Sequence, residues 1–129
     1  MTNAVSAVEA AAYEALSAGV TLATVHQHVP ANTPPPVVII ADMDAERLGT
    51  KEGDPDRNVT LTVTSIIQGE ARLPLLELQA EIETTLDGLR VTPPGWTLKF
   101  TFQSSDGVLL EDGQTYVGNS RFGVLAFSN

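Results

Sequence analysis

Cysteine is absent from this chain of 129 residues. Its absence excludes disulfides, thiolate nucleophiles and cysteine-ligated zinc. Without cysteines, redox chemistry gives no indication of the cellular compartment. Histidine is scarce too, since His26 and His28 are the only two. On an extended backbone they would project to the same side, but zinc needs at least three protein ligands. We therefore interpret both histidines as the solvent face of a short strand and predict no metal site.

Basic residues are few. Seven Lys and Arg stand against sixteen Asp and Glu, which gives a formal net charge of −9, and no two of the seven are adjacent. Such a surface repels phosphate. We therefore expect neither nucleic-acid binding through a basic patch nor docking on an anionic membrane, although DNA could pass nearby without being held.

Long hydrophobic runs are also missing. The apolar run at residues 37–41 is far shorter than the roughly 20 residues of a membrane-spanning helix. The N-terminus lacks the basic start and long apolar stretch of a signal peptide, so we expect the protein to stay in the cytosol where it is made. The chain length and a hydrophobic content of 43% suit one core, and we predict a single domain over residues 1–129.

Catalytic motifs are missing as well: there is no Gly-x-Ser-x-Gly, phosphate loop, dinucleotide fingerprint or His-Glu-x-x-His. Asp42, Asp44 and Glu46 have the alternate spacing of the first ligands in a calcium loop. That loop would require glycine where Arg47 stands and a bidentate acid where Gly53 stands, so the match fails. We predict no catalytic residue, no cofactor and no metal.

The most regular pattern lies between residues 58 and 89. Residues 58–67 alternate with β-branched residues on both faces, which is typical of a central strand. Leucine and isoleucine then recur every third or fourth residue with acids opposite, which predicts an amphipathic helix on a sheet. Pro74 fits its first turn, and Gly88 fits a left-handed position after its end. The predicted core contains Val59, Leu61, Val63, Leu75, Leu78, Ile82, Leu86, Leu98 and Phe100.

An alanine-rich stretch that ends at Gly19 predicts a first helix. Its start is open between two patterns, because Asn3 can cap it and Ser6 with Glu9 also has capping-box spacing. The signal then weakens to a turn and a short extended piece, before the prolines at 34–36 force an extended entry to a strand at residues 37–41.

The C-terminal part reads as a pair of strands. Residues 96–103 alternate between apolar and polar, which predicts a half-buried strand. An Asp-Gly turn follows at residues 106–107. Residues 116–127 return as the last strand, and the glycines predict a bend or bulge near Gly118 or Gly123.

Between the first two predicted strands lies a long acidic loop, residues 42–57. Loops of this length are uncommon in compact domains and are often functional, but an exposed charged loop is also common without any function. Both interpretations stay open. The candidate interface or lumen residues are Asp42, Asp44, Glu46, Arg47, Lys51, Glu52, Asp54, Asp56 and Arg57.

These elements predict the α+β class, as a two-layer sandwich with two helices on one face of a four-stranded mixed or antiparallel sheet. The predicted order is α-β-β-α-β-β. An open sheet of this kind leaves two edges unpaired and one face uncovered. The edges and the face are all places where a partner can bind.

Residues 51–54 lead into the strand at 58–67 and the helix through Leu86, and residues 110–113 lead into 121–127. This order of elements, over nearly the whole chain, resembles the tail terminator, or tail completion, proteins of long-tailed phages and gene transfer agents. The family is recognised by element order and hydrophobic pattern more than by invariant residues.

The resemblance implies a homohexameric ring that caps the tail tube in the neck of the virion, after assembly in the host cytoplasm. It implies contacts with the tail tube protein and with a head connector or stopper protein, while DNA passes through the lumen without specific binding. An acidic lumen would let duplex DNA slide. Two alternatives are a small-molecule-binding α+β domain and an adaptor that pairs by strand addition.

Overall fold

The computed structural model describes residues 3–29, 32–49 and 53–129. Two helices, α1 (Ala4–Gly19) and α2 (Leu73–Leu86), accompany six strands, so the α+β class is confirmed. The strands are β1 (Thr24–His26), β2 (Val37–Arg47), β3 (Arg57–Gln68), β4 (Arg90–Val91), β5 (Trp96–Leu109) and β6 (Thr115–Ser128).

The described strands form one sheet in the order β1-β2-β3-β6-β5-β4. β1 runs parallel to β2, and every other neighbouring pair is antiparallel. The prediction of four strands in the order α-β-β-α-β-β is therefore wrong in detail, because β1 and β4 were not counted. They have three and two residues, which is too short for a periodic pattern to be read.

Both helices pack on the same face of this sheet. The predicted core is confirmed, since all nine of its residues belong to one buried cluster of the described chain. Val8, Ala12 and Leu16 of α1 join them there, each with no exposed surface. The apolar residues between the helices and the sheet are therefore removed from water, and this burial is the main source of stability.

The helix ends follow the predicted signals. Asn3 caps α1, since its Oδ1 accepts a hydrogen bond from the Ser6 N–H at 2.8 Å, which decides between the two predicted starts. Pro74 lies in the first turn of α2. Gly88 has a φ of 80°, the left-handed conformation that glycine adopts without strain.

The predicted loop at residues 42–57 is wrong in its first part, because β2 continues to Arg47. A β-bulge between Ile40 and Asp42 shifts the register there. After the bulge, the residues that point away from the helices are acids. The hydrophobic pattern therefore ends at the bulge, although the strand continues. The connection that remains between the two strands covers residues 48–56.

The predicted turn at residues 106–107 is also wrong, since β5 runs through it to Leu109. The predicted irregularity of the last strand lies instead in β5, between Phe102 and Ser104. The glycines of β6 provide room. A Cβ on Gly123 would lie 2.6 Å from the Gln103 Nε2, and one on Gly118 would strike the side chain of Gln79 from α2.

An acid on the outer side of α2 joins this helix to the segment that follows α1. Both Glu81 carboxylate oxygens accept hydrogen bonds, from the N–H and Oγ1 of Thr21 at 2.8 and 2.6 Å and from the Leu22 N–H at 3.1 Å. The slight burial of this carboxyl raises its pKa, but the hydrogen bonds from Thr21 and Leu22 outweigh that and lower the pKa overall.

No described helix is long and apolar enough to cross a membrane.

Candidate functional site

The sheet face opposite the helices, here called the uncovered face, is the candidate interaction surface. In β3 the residues that point to the helices are buried, whereas Thr60, Thr62 and Thr64 on the uncovered face are only partly buried. Neighbouring strands carry residues across this face in rows, because directly paired residues of an antiparallel sheet point to the same side. The rows place the predicted site residues that lie in strands.

The three acids of β2 lie on the uncovered face at the edge of the sheet, and we call them the acidic edge. Asp42 pairs with Thr62, Asp44 with Thr60 and Glu46 with Asn58. All three acids are exposed. Alternate residues of a strand are roughly 7 Å apart, so the structure brings these three predicted residues together as one acidic column.

The remaining predicted residues do not join this column. Arg47 is exposed and pairs with Arg57 on the side of the helices. Arg57 donates from its Nη1 to the backbone oxygens of Asp54 and Asp56 at 2.6 and 2.8 Å. Lys51 and Glu52 lie outside the described residues.

Asp56 has a structural contact with the end of the sheet. Its Oδ1 accepts hydrogen bonds from the Ser128 N–H at 2.6 Å and the Ser128 Oγ at 2.9 Å. The Asp54 Oδ1 in turn accepts from the Asp56 N–H at 2.9 Å. Asp56 thus holds the connection between β2 and β3 against β6, while Asp54 and Arg57 bond within the connection. These contacts account for all three residues without a partner.

The opposite edge of the same face carries bases that sequence reasoning missed. Arg90 of β4 pairs directly with Lys99 of β5, and both are exposed. We call these two residues the basic edge. The signal that could have found Lys99 is the alternation in β5, where it lies between buried Leu98 and Phe100.

The middle of the uncovered face holds one ion pair. Arg121 Nη2 lies 3.0 Å from Asp106 Oδ2, and the Asn119 amide donates to Asp106 at 3.3 Å. The hydrogen bond from Arg121 lowers the pKa of Asp106 most, with Asn119 adding to it. This pair is the only ion pair among the described residues. The acidic and basic edges therefore have no charged partner within the described chain.

The other end of the uncovered face is apolar. One row of paired residues crosses this end, and the exposed fraction of its side chains increases from 2% at Val37 to 55% at Val108. The row consists of Val37, Ile66, Val117 and Val108. Leu109, the last residue of β5, and Leu110, which follows it, are exposed at the same end of the sheet. The face is thus apolar at one end and charged along both edges at the other.

A groove of about 670 Å³ lies on the helix side, between α1 and the segment that follows α2. Alanines of α1 form one wall, and Leu89 and Val91 line it as well. Its polar side chains are Ser6, Glu14 and Thr92. A ligand site would need several polar groups aimed at one point, and none of these three makes such a cluster.

The histidines are not brought together with acids. His26 Nε2 lies 2.9 Å from the Thr24 Oγ1, next to it on the same strand. Among the described residues no group of three or more His, Cys, Asp or Glu side chains is placed to hold a metal ion.

Comparisons with known proteins agree on one family and one fold. A family model described as "Tail completion protein gp17" matches residues 6–126. A solved chain described as "Virion of native gene transfer agent (GTA) particle" superposes with a TM-score of 0.79, covers 98% of both chains and is 16% identical. At that identity the likeness is one of fold. No curated protein matches the chain.

Proposed function

The chain belongs to the tail completion protein gp17 family, which makes it a structural component of a phage tail, and we propose that it forms a homohexameric ring in the neck of the virion. The ring would close the head-proximal end of the tail tube and join it to the head connector or stopper protein. Its subunits would fold in the host cytoplasm before assembly. The observation that carries this proposal is the family match over nearly the whole chain.

The sheet supports a ring made of repeated contacts. β2 pairs with β1 only over Val37–Ile39, so the rest of its outer edge has no strand beside it in the described chain. β4 covers β5 over two residues only. Open edges of this kind are places where a second chain can bind. Contacts between unlike surfaces generate a closed ring when the rotation between copies closes.

Charge supports a passage for DNA. The chain carries a net charge of −9, and a ring of such chains repels the phosphate backbone, so duplex DNA would slide through the lumen without binding. Function would then lie in the geometry of the ring, with no catalytic residue involved.

We propose that the segment at residues 42–57 works at the lumen or at a contact surface of this ring. The support is its charge, since Asp42, Asp44 and Glu46 are exposed and none of them is needed for the core. Asp56 would anchor the segment to β6 through Ser128, and the hydrogen bonds that link Asp54 and Arg57 to it would hold the segment in position.

The proposal is tested with particles assembled without this chain. We expect tails of uncontrolled length that do not join heads, and we expect supplied wild-type chain to restore both properties. Normal tails joined to heads in its absence would contradict the proposal. Ring formation is measured by native mass spectrometry at low salt, as six copies of the 13.7 kDa chain, and by negative-stain images of tail ends.

One alternative has an observation in its favour. The open outer edges of β2 and β5 would also suit an adaptor that adds a strand to one partner without forming a ring. Solution mass separates the two, because an adaptor would give a dimer or a one-to-one complex. A small-molecule-binding domain would instead be a monomer whose melting temperature rises with ligand, and the groove beside α1 lacks the polar groups for it.

A further inference from the structure

One row of residues crosses the sheet from the acidic edge to the basic edge. It consists of Glu46, Asn58, Leu125, Lys99 and Arg90. Because each step is a direct cross-strand pair, all five side chains point to the uncovered face. The acidic edge and the basic edge therefore lie at the same height on opposite sides of one face.

At this height no described strand pairs with the outer backbone of either edge. β1 pairs with β2 at Val37–Ile39, below the acids, so no described strand covers β2 beside Asp42, Asp44 and Glu46. On the opposite side, β4 is the last strand of the sheet and pairs only inward, with β5. Copies placed side by side around a ring axis would thus bring the acidic edge of one against the basic edge of the next.

Each edge is also electrostatically unfavourable on its own. Arg90 lies directly across from Lys99, and like charges in that position destabilise a sheet. The acidic edge places three carboxylates on one strand face with no base paired to them in the described chain. A partner of opposite charge would relieve both repulsions. The chain has few basic residues, which makes two of them on one edge more notable.

We propose that neighbouring copies of this chain dock edge to edge, with Asp42, Asp44 and Glu46 of one copy against Arg90 and Lys99 of the next. This interface rests on the proposed ring. It joins unlike surfaces, so every copy offers one edge of each sign and the contact repeats around the ring. Complementary charge would set the direction of the ring and speed association, and salt would weaken it.

Two charge-reversed chains test the interface. The base-reversed chain carries Arg90→Glu and Lys99→Glu, and the acid-reversed chain carries Asp42→Lys, Asp44→Lys and Glu46→Lys. Each has two edges of the same sign, so we expect the fraction of chain found in rings to fall about tenfold or more for either one alone. The measurements are native mass spectrometry and the occupancy of tail ends in negative-stain images.

Mixing the two chains gives the decisive result. Acidic-edged and basic-edged copies can alternate, so we expect rings to return and to contain equal numbers of both chains. A chain with all five substitutions has its edges exchanged and should also form rings alone. The mixture and the exchanged chain keep the test valid even if one reversed chain is poorly stable. The return of rings in them requires complementary charge and not merely folding.

A matched control reverses three exposed acids elsewhere, Glu70→Lys, Glu77→Lys and Glu83→Lys, with the same change in net charge as the acid-reversed chain. We expect it to form rings as the wild type does. Wild-type ring formation by both reversed chains would overturn the edge interface while the ring itself stands. Failure of the mixture and of the exchanged chain to form rings would overturn it too. A wild-type chain that forms no ring in solution or on tails would overturn the proposed function and this interface together.

Discussion

The two faces of the sheet are built from the same strands but obey different constraints. On the helix side, Leu61 and Phe122 pair across β3 and β6 and are fully buried, while the next pair on the uncovered face is Thr62 with Arg121, both partly exposed. Burial fixes the first face, since its side chains must fill space without voids. The uncovered face contributes little to the core, so its charges are free to serve contacts with other chains.

The largest expected effect comes from a cavity in the buried layer where the helices pack on the sheet, here called the covered face. Ile82→Ala removes a side chain with no exposed surface from the middle of α2. Loss of buried methyl and methylene groups and the cavity left behind should lower the free energy of unfolding by about 2–5 kcal/mol. Chemical denaturation measures it, with exposed Thr84→Ala on the same helix as the control. Unchanged stability in Ile82→Ala would mean that the covered face is not the source of stability.

Adding a methyl group to the covered face should lower the free energy of unfolding by less than the cavity of Ile82→Ala does. A Cβ on Gly118 would lie 2.9 Å from the Gln79 Cδ and 3.1 Å from the Leu75 Cδ1. Gly118→Ala should therefore lower the free energy of unfolding by about 1–3 kcal/mol. Gln79→Ala alone, and combined with Gly118→Ala, completes a double-mutant cycle. The two changes should cost less together than the sum of their separate effects, and simple additivity would contradict the predicted clash.

A polar contact at the rim of the covered layer should contribute less again, and its contribution should depend on pH. Glu81 accepts hydrogen bonds from Thr21 and Leu22, and its lowered pKa means that the folded state favours the charged form. Its stabilisation is therefore present above the ordinary glutamate pKa of about 4.3 and is lost as the pH falls through the lowered value. Because the carboxyl is largely exposed, Glu81→Gln should cost about 1 kcal/mol or less at pH 7.

The measurement for Glu81 is the difference in unfolding free energy between the wild type and Glu81→Gln over a pH series. We expect this difference to narrow once the pH falls below about 4. Glu77→Gln, a change of an exposed acid on the same helix, is the control. A gap that widens with acid would mean that the hydrogen bonds do not favour the charged carboxylate.

The contrast between the faces also explains what the sequence could predict. Hydrophobic periodicity predicted α2 and β3 correctly, because both bury one side. It stopped at the bulge before Asp42, since the rest of β2 exposes acids and has no apolar pattern to read. The turn expected at Asp106 is wrong because this residue, although typical of turns, lies within β5 opposite Asn119 and forms an ion pair with Arg121 of β6.

Contacts between distant parts of the chain lie beyond any local pattern. Glu81 and Thr21 are 60 residues apart, and Asp56 and Ser128 are 72 apart. Of the candidate site, the three acids of the acidic edge were named from the sequence, but as part of a loop and not as the edge of a strand. The basic edge was missed because it depends on β4, whose two residues give no strand signal of their own.

The smallest expected effect on stability comes from reversing the acidic edge. Asp42, Asp44 and Glu46 are exposed and have no hydrogen-bonded or charged partner among the described side chains. Replacing all three by Lys exchanges repulsion between acids for a similar repulsion between bases, so the free energy of unfolding of the triple variant should change by no more than about 0.5 kcal/mol in total. The reference is Asp42→Asn, Asp44→Asn and Glu46→Gln, which removes the repulsion and should be at least as stable as the wild type. Denaturation of the three chains at low and high salt measures both effects, because salt should reduce the differences between them. A loss as large as that of Ile82→Ala would mean that the uncovered face is part of the stabilising structure, and the contrast between the two faces would fail.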